Sequence, residues 1–257
     1  MTATSRPADV ASLLSGADSI TVLTGAGVST DSGIPDFRGP QGVWTKDPGA
    51  AALFDFDTYM ADVNVRRRVW QMRRENPAWQ ARPNAAHQAL ADLDAAGRLR
   101  ALITQNIDGL HQAAGAAEDR VLEVHGTIKR VACMECGART PTPRVLERLE
   151  EESDPRCLAC GGIQKTDTVS FGQRLDPRVL DAAVEAAAEG EVFLTAGTSL
   201  GVHPVAGLCD VALDNGASLV IVNAEPTPYD GRAEAVLRDP ISEVVPKLAE
   251  YALGAQA

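Results

Sequence analysis

Cys133-Met-Glu-Cys136 and Cys157-Leu-Ala-Cys160 form the pattern C-x2-C-x20-C-x2-C, with a glycine after each pair, Gly137 and Gly161. Two such knuckles bring four thiolates to the corners of a tetrahedron, the arrangement zinc takes in structural sites. Four protein ligands leave no open position, so one structural zinc is expected to hold this segment together rather than act on substrate. The competing account, reduced structural cysteines or two disulfides, is weaker in a reducing compartment. Cys209 stands alone in an apolar helical stretch after Pro204 and reads as core filler.

A second constellation gathers at strand ends. The apolar run Ile20 to Leu23 enters Gly25-Ala26-Gly27, as a strand enters a dinucleotide-binding turn. A third small residue would fall at position 30 of that motif, where Thr30 stands, and Gly33-Ile-Pro-Asp36-Phe37-Arg38 follows. His125 comes directly after Val121-Leu-Glu-Val124, and Thr104-Gln105-Asn106-Ile107-Asp108 ends another strand-like run. Ligands bind outside the carboxyl ends of strands in open α/β sheets. These tips offer a general base in His125, amides in Gln105 and Asn106 and a carboxylate in Asp108. Gly197-Thr198-Ser199 and Asn223 end two further runs and suit hydrogen bonds to a ribose or adenine, although a helix cap explains Ser199 equally well. His87 and His111 fall on helical segments with capping or surface roles expected, and His203 is placed to line a cleft.

The elements that must position these groups are strands at Ser19–Thr24, Leu99–Thr104, Val121–Val124, Thr168–Phe171, Val192–Ala196 and Ser218–Val222, each short, apolar and bounded by turn formers or charge. Helical patterns separate them at Pro83 to Ala95, Pro177 to Glu189 and Pro204 to Leu213, each with proline in its first turn. That alternation predicts an α/β fold, a parallel sheet with helices on both faces. Residues 40–82 and 131–166 break it, the second with its four cysteines and a charged helical piece at Arg144 to Glu152. Both read as insertions that together form a small zinc-binding lobe.

The chain has 257 residues, 45% of them hydrophobic, 23% charged and only 4% aromatic, with a net charge of −11. Such acidity excludes a general nucleic-acid surface, which needs clustered Lys and Arg. It is compatible with a basic peptide partner. No apolar stretch approaches the roughly 20 residues of a membrane span, and the first residues lack the apolar region of a secretory signal. A cytoplasmic location is expected.

GAGVSTDSGIPDFRG at 25–39, TQNIDGLH at 104–111, HG at 125–126, the paired cysteine motifs, SFG at 170–172 and GTSLGVHP at 197–204 occur in the order seen in sirtuins, the NAD-dependent protein lysine deacylases. The resemblance runs from about residue 8 to 250. The stretch Gly39-Pro-Gln-Gly-Val-Trp-Thr45 also resembles the GPxGVWT of the class IV subgroup.

The resemblance implies a Rossmann-like NAD-binding lobe at 1–39, 83–130 and 167–257, and a small lobe at 40–82 and 131–166. NAD, consumed as a co-substrate, and an acyl-lysine protein or peptide would meet between them. Gly25, Ala26 and Gly27 would approach the pyrophosphate, with Asp36, Phe37 and Arg38 on a loop over the cofactor. Gln105 and Asn106 would bind the nicotinamide-side ribose, and Ile107 and Asp108 would hold the nicotinamide. Gly197, Thr198, Ser199 and Asn223 would take the adenosine half. Ser170, Phe171, Gly172, Gly201 and Val202 would flank the substrate peptide as an added strand, and His125 would be the general base. The acyl group would pass to ADP-ribose with release of nicotinamide. Mono-ADP-ribosyl transfer or long-chain deacylation is the implied alternative on the same fold. Sirtuins that prefer acidic acyl groups carry Tyr-x-x-Arg where this chain has Trp70-Gln-Met-Arg73, so neutral acyl groups are expected here; Gln173 stands where the family often has an acid after Phe-Gly. Two rival classes remain: a hydride-transfer dehydrogenase, which Thr30 argues against, and a non-catalytic NAD- and zinc-binding module, against which His125, Asn106 and Asp108 stand together.

Overall fold

A computed structural model describes residues 4–36, 39, 42, 45 and 53–254. Six parallel strands form the main sheet: β1 (Ile20–Thr24), β2 (Leu99–Thr104), β3 (Val121–Glu123), β7 (Val192–Ala196), β8 (Ser218–Val222) and β9 (Ala235–Leu237). Their spatial order is β3-β2-β1-β7-β8-β9. The order reverses between β1 and β7, and a crevice opens there at the carboxyl ends of an open α/β sheet.

The sheet is buried on both faces because its strands are apolar at odd and even positions alike. Ile20, Val22, Leu194 and Val220 face one core, with Leu90, Leu93, Val245 and Leu248 from the helices Ala85–Ala95 and Ile241–Ala252. Leu23, Phe193, Leu219 and Ile221 face the other, with Ala183 and Ala187 of the helix Pro177–Glu189. Alanine on that helix lets it lie close to the sheet. Side-chain caps define several helix starts: Asn84 accepts from Ala86 and His87 N–H, and Asp176 accepts from Arg178 N–H beside Pro177.

A second, antiparallel sheet is built from β4 (Gly126–Cys133), β5 (Arg139–Pro141) and β6 (Gln164–Thr168), in the order β5-β4-β6. It takes in residues 126–130, which the sequence reading gave to the larger lobe. The helix Val63–Arg74 packs on it: Trp70 joins Val131, Val145 and Leu149 in a separate small core. Arg66 meets Asp154 at 3.0 Å with both side chains buried, and the Tyr59 hydroxyl donates to the Gln164 carbonyl at 2.6 Å. The two insertions therefore hold one another.

Two strand expectations change. The stretch 168–171 is not a strand; β6 ends at Thr168, and the chain bends through Gly172 at a φ of 83°. β6 itself, Gln-Lys-Thr-Asp-Thr, escaped notice because its residues are polar, although Gln164, Lys165, Thr166 and Thr168 are buried. The sequence expectation also lacks β4, β5 and β9; β5 and β9, at three residues each, carry too little periodicity to register. Among the described residues no helix is long and apolar enough to cross a membrane.

Candidate active site

A cavity of about 1290 Å³ lies between the carboxyl ends of the main sheet and the small lobe. Gly25, Ala26 and Gly27 reach it at the tip of β1, and Gly197, Thr198 and Ser199 at the tip of β7. These two loops interlock. Gly27 N–H donates to the Gly197 carbonyl at 2.9 Å, and Gly25 N–H to the Ala196 carbonyl at 3.0 Å. A Cβ on Gly25 would lie 2.7 Å from the Gly197 oxygen, and one on Gly27 would lie 2.8 Å from the Gly197 Cα. Loop-on-loop packing alone therefore requires glycine at both positions, whatever ligand approach the motif also serves. Among the described residues the N–H of Ala26 keeps no protein partner and remains for an anion. Thr30 is exposed on the short 3-10 helix Ala26–Ser32, its hydroxyl donating to the Gly27 carbonyl at 2.9 Å. That helix stops at Gly33, φ 84°, so no long helix needs a third glycine to approach the sheet.

Beyond β2 the chain commits most of its polar groups. Asn106 Nδ2 donates to the Gly25 carbonyl and to Ser29 Oγ, both at 3.1 Å, which leaves Oδ1 for a ligand. Asp108 accepts Ser29 O–H at 2.8 Å on one oxygen and Leu110 N–H at 2.9 Å on the other. Gln105 Nε2 donates to Thr198 Oγ1 at 2.9 Å, joining the tips of β2 and β7. Gln105, Asn106, Ile107 and Asp108 all line the cavity.

His125 also lines it, half-buried, two residues past the end of β3. Its Nδ1 lies 3.1 Å from the Gln105 carbonyl, an acceptor only, so the ring proton sits on Nδ1 and Nε2 is a free base. Burial lowers its pKa against the raising effect of that carbonyl, which keeps the ring neutral at pH 7. Asn223 lines the cavity from the tip of β8, its Nδ2 donating to the Glu225 carbonyl at 2.8 Å. Asp36 is present too and accepts Gly39 N–H at 3.0 Å; Phe37, Arg38 and most of the GPxGVWT stretch fall outside the described residues.

The expected peptide-binding residues Ser170, Phe171, Gly172 and Val202 line the cavity, as does His203; Gly201 lies just outside it. Phe171 N–H and C=O are already paired, with Phe54 and Phe56, at 2.8 and 2.9 Å. Gly172 and Gly201 keep backbone groups with no partner among the described residues, so an extended peptide has those edges to pair with.

The four cysteine sulfurs of Cys133, Cys136, Cys157 and Cys160 all lie within 4.8 Å of one another. A tetrahedral zinc at about 2.3 Å per sulfur needs sulfurs about 3.8 Å apart, and Cys133–Cys160 and Cys136–Cys157 stand at 3.5 and 3.8 Å. Gly137 and Gly161, at φ 72° and 76°, turn each knuckle. N–H groups of Cys136 and Gly162 point at sulfurs, at 3.5 and 3.4 Å, as thiolates favour. The residues fit a closed, structural zinc.

Several site residues carried no motif. Ser29 links Asp108, Asn106 and His87, and only its place on the buried side of the 3-10 helix could have marked it. His87 and His111 are buried, 0% and 1% exposed, not on the surface; His87 does cap its helix through Asn84. Arg73 and Lys165 enter the cavity from the small lobe, while Trp70 is absorbed into the small core.

The Sir2 family model matches residues 25–204. "NAD-dependent protein deacetylase 2" of Streptomyces coelicolor is 53% identical over 236 residues, 91% of this chain and 98% of that protein. "NAD-dependent protein deacetylase 1" of Pyrobaculum aerophilum is 43% identical, over 96% and 94% of the two chains. A solved Sir2 variant with a deacetylated p53 peptide and 3′-O-acetyl ADP-ribose superposes with a TM-score of 0.89 at 33% identity, covering 98% of this chain and all of that one. A Sir2–p53 peptide–NAD+ complex gives 0.85 at 34% identity, over 96% and 98%. Strand order, strand-tip chemistry, cysteine cluster and relatedness along nearly the whole length agree: this chain is a member of the Sir2 family.

Proposed function

We propose that the chain is an NAD-dependent protein lysine deacylase, with acetyl-lysine as its principal substrate group. The observation that carries this is His125: a neutral imidazole whose free Nε2 belongs to the same cavity as the open Oδ1 of Asn106. When bound, NAD supplies a ribose carbon that accepts the acyl oxygen as nicotinamide departs. The protein's own part is positional and acid–base. Asn106, Ile107 and Asp108 hold the carboxamide end, Gln105 the adjoining ribose, and Gly197, Thr198, Ser199 and Asn223 the adenosine end. Ala26 N–H meets the diphosphate. His125 Nε2 takes the proton from a sugar hydroxyl, which is a poor nucleophile until that proton leaves. Gly172 and Gly201 pair with the peptide backbone. One zinc on the four cysteines holds the small lobe of residues 40–82 and 131–166 against the NAD lobe of 1–39, 83–130 and 167–257. Five cysteines with no disulfide between them, four set for zinc and Cys209 alone, fit a reducing, cytoplasmic setting.

Nicotinamide release from NAD, measured with and without an acetyl-lysine peptide, tests this. Release is expected to depend on peptide, and acyl transfer is expected to fall about 10²–10⁴-fold in His125→Ala. NAD binding without turnover in the wild type would leave only the binding module.

A second reading concerns the acyl end. Arg73 and Lys165 line the cavity at 7% and 2% exposure. Among the described residues Arg73 Nε has no partner, and Lys165 Nζ meets only the carbonyls of Thr166 and Thr168. Asp167, the carboxylate Lys165 feels, is held by Arg139 and Arg130. Burial, with the charge of Arg73, lowers Lys165 to about 7. Two buried cationic side chains with no counter-ion among the described residues favour an incoming anion. This supports turnover of acyl chains ending in a carboxylate beside the acetyl group. Acetyl- and succinyl-lysine peptides compared side by side decide it. Arg73→Met is expected to cut succinyl removal about tenfold or more while acetyl removal changes little; equal losses on both would overturn it.

A further inference from the structure

Behind the Asn106–Asp108 pocket, His87 occupies a fully buried position that no step above uses. Backbone N–H of Asn84 points at its Nδ1 at 3.3 Å. An N–H only donates, so Nδ1 accepts and the ring proton of neutral His87 resides on Nε2. That nitrogen is 3.4 Å from Ser29 Oγ. Ser29 Oγ already receives Asn106 Nδ2–H, and with the His87 proton both its lone pairs are taken. Its own proton is left one direction, to Asp108 at 2.8 Å. The hydroxyl cannot turn round without setting two donors against it.

We propose that His87 is a positioning residue for the nicotinamide pocket, its Nε2–H locking Ser29 so that the Asn106 amide keeps Oδ1, and Asp108 its carboxylate, in the orientation that receives a carboxamide. The proposal rests on the deacylase reading for what fills the pocket, and on geometry alone for the ring proton. The surroundings favour the neutral ring: burial lowers the pKa of His87 against the raising effect of Asp108, and the ring of His111 lies 4.9 Å away. A protonated Nδ1 would face the Asn84 N–H donor to donor.

Two substitutions separate this role from simple helix capping. His87→Asn keeps an acceptor near Nδ1 but has no donor where Nε2 stood. His87→Gln puts an amide N–H close to Nε2. With an acetyl-lysine peptide, H87N is expected to raise the KM for NAD and the nicotinamide inhibition constant about tenfold, the size of one lost hydrogen bond to a buried group. Its KM for peptide should stay near wild type, both variants should lose a similar amount of thermal stability because each replaces a buried ring, and H87Q should recover most of the NAD and nicotinamide terms. Wild-type NAD parameters in H87N, or equal NAD losses in both variants that track their thermal midpoints, would overturn the proposal. Independently of folding or turnover, nitrogen-15 spectra of histidine-labelled wild-type protein should show His87 as the Nε2–H tautomer. An Nδ1–H tautomer would also overturn it. A wild type that shows this tautomer yet never turns over acyl peptide would sink the deacylase reading and leave the ring assignment standing.

Discussion

At the scale of single residues, the buried histidines set a pH dependence of stability. Thr24 donates its hydroxyl proton to Thr104 at 2.9 Å, so His111 Nε2, at 2.9 Å from the same oxygen, must be the donor between them. Among the described residues its Nδ1 has no partner, and burial, with His87 beside it, pushes its pKa down to about 3. The unfolded chain binds a proton at His111 below about 6.5, and the native chain does not until pH is far lower. The contribution is therefore complete above about 6.5 and is lost as pH falls from there toward 3, at up to about 1.4 kcal/mol per pH unit. Thermal midpoints at pH 7 and pH 5 should differ, and His111→Gln, which keeps a donor toward Thr24, should narrow the gap. An unchanged gap would assign the acid sensitivity elsewhere.

At the scale of elements, the tips of β1 and β7 act as one unit. Gly197 sits at φ 64°, and a Cβ there would stand 2.4 Å from the Val28 nitrogen. Gly197→Ala must therefore spread the two loops that floor the cavity. Urea unfolding is expected to show a loss of roughly 2–4 kcal/mol, together with weaker NAD binding. Thr30→Gly, in the same motif, removes one exposed hydroxyl bond and should cost under about 1.5 kcal/mol. If the two variants were equally stable, the interlock would not be what these glycines serve.

At the scale of the whole molecule, the small lobe depends on its metal. Among the described residues its core cluster is small, Trp70, Val131, Val145 and Leu149, too little apolar material to stand alone. One zinc per chain is expected by elemental analysis. Chelation or Cys136→Ser should lower the thermal midpoint and abolish turnover while much of the parallel sheet's circular dichroism persists. A metal-free preparation with an unaltered midpoint would contradict the structural role. Because β4 runs from Gly126, next to His125, into Cys133, collapse at the cysteines is expected to pass along one strand to His125.

Where signals were local, the sequence was enough. Apolar runs closed by glycine or polar tips predicted β2, β7 and β8 to the residue, and the cysteine spacing predicted a four-sulfur cluster, because period, turn chemistry and knuckle geometry are set by near neighbours in the chain. Where partners are distant, it was not. Strand order came from pairing across about eighty residues, as between β1 and β2. The reason for Gly25 and Gly27 lay at Gly197, and polar β6 became a buried strand only once β4 was beside it. Ser29, His87 and Lys165 acquire meaning in the same way. A buried polar group is defined by what satisfies it or fails to, and that is decided by tertiary contact alone.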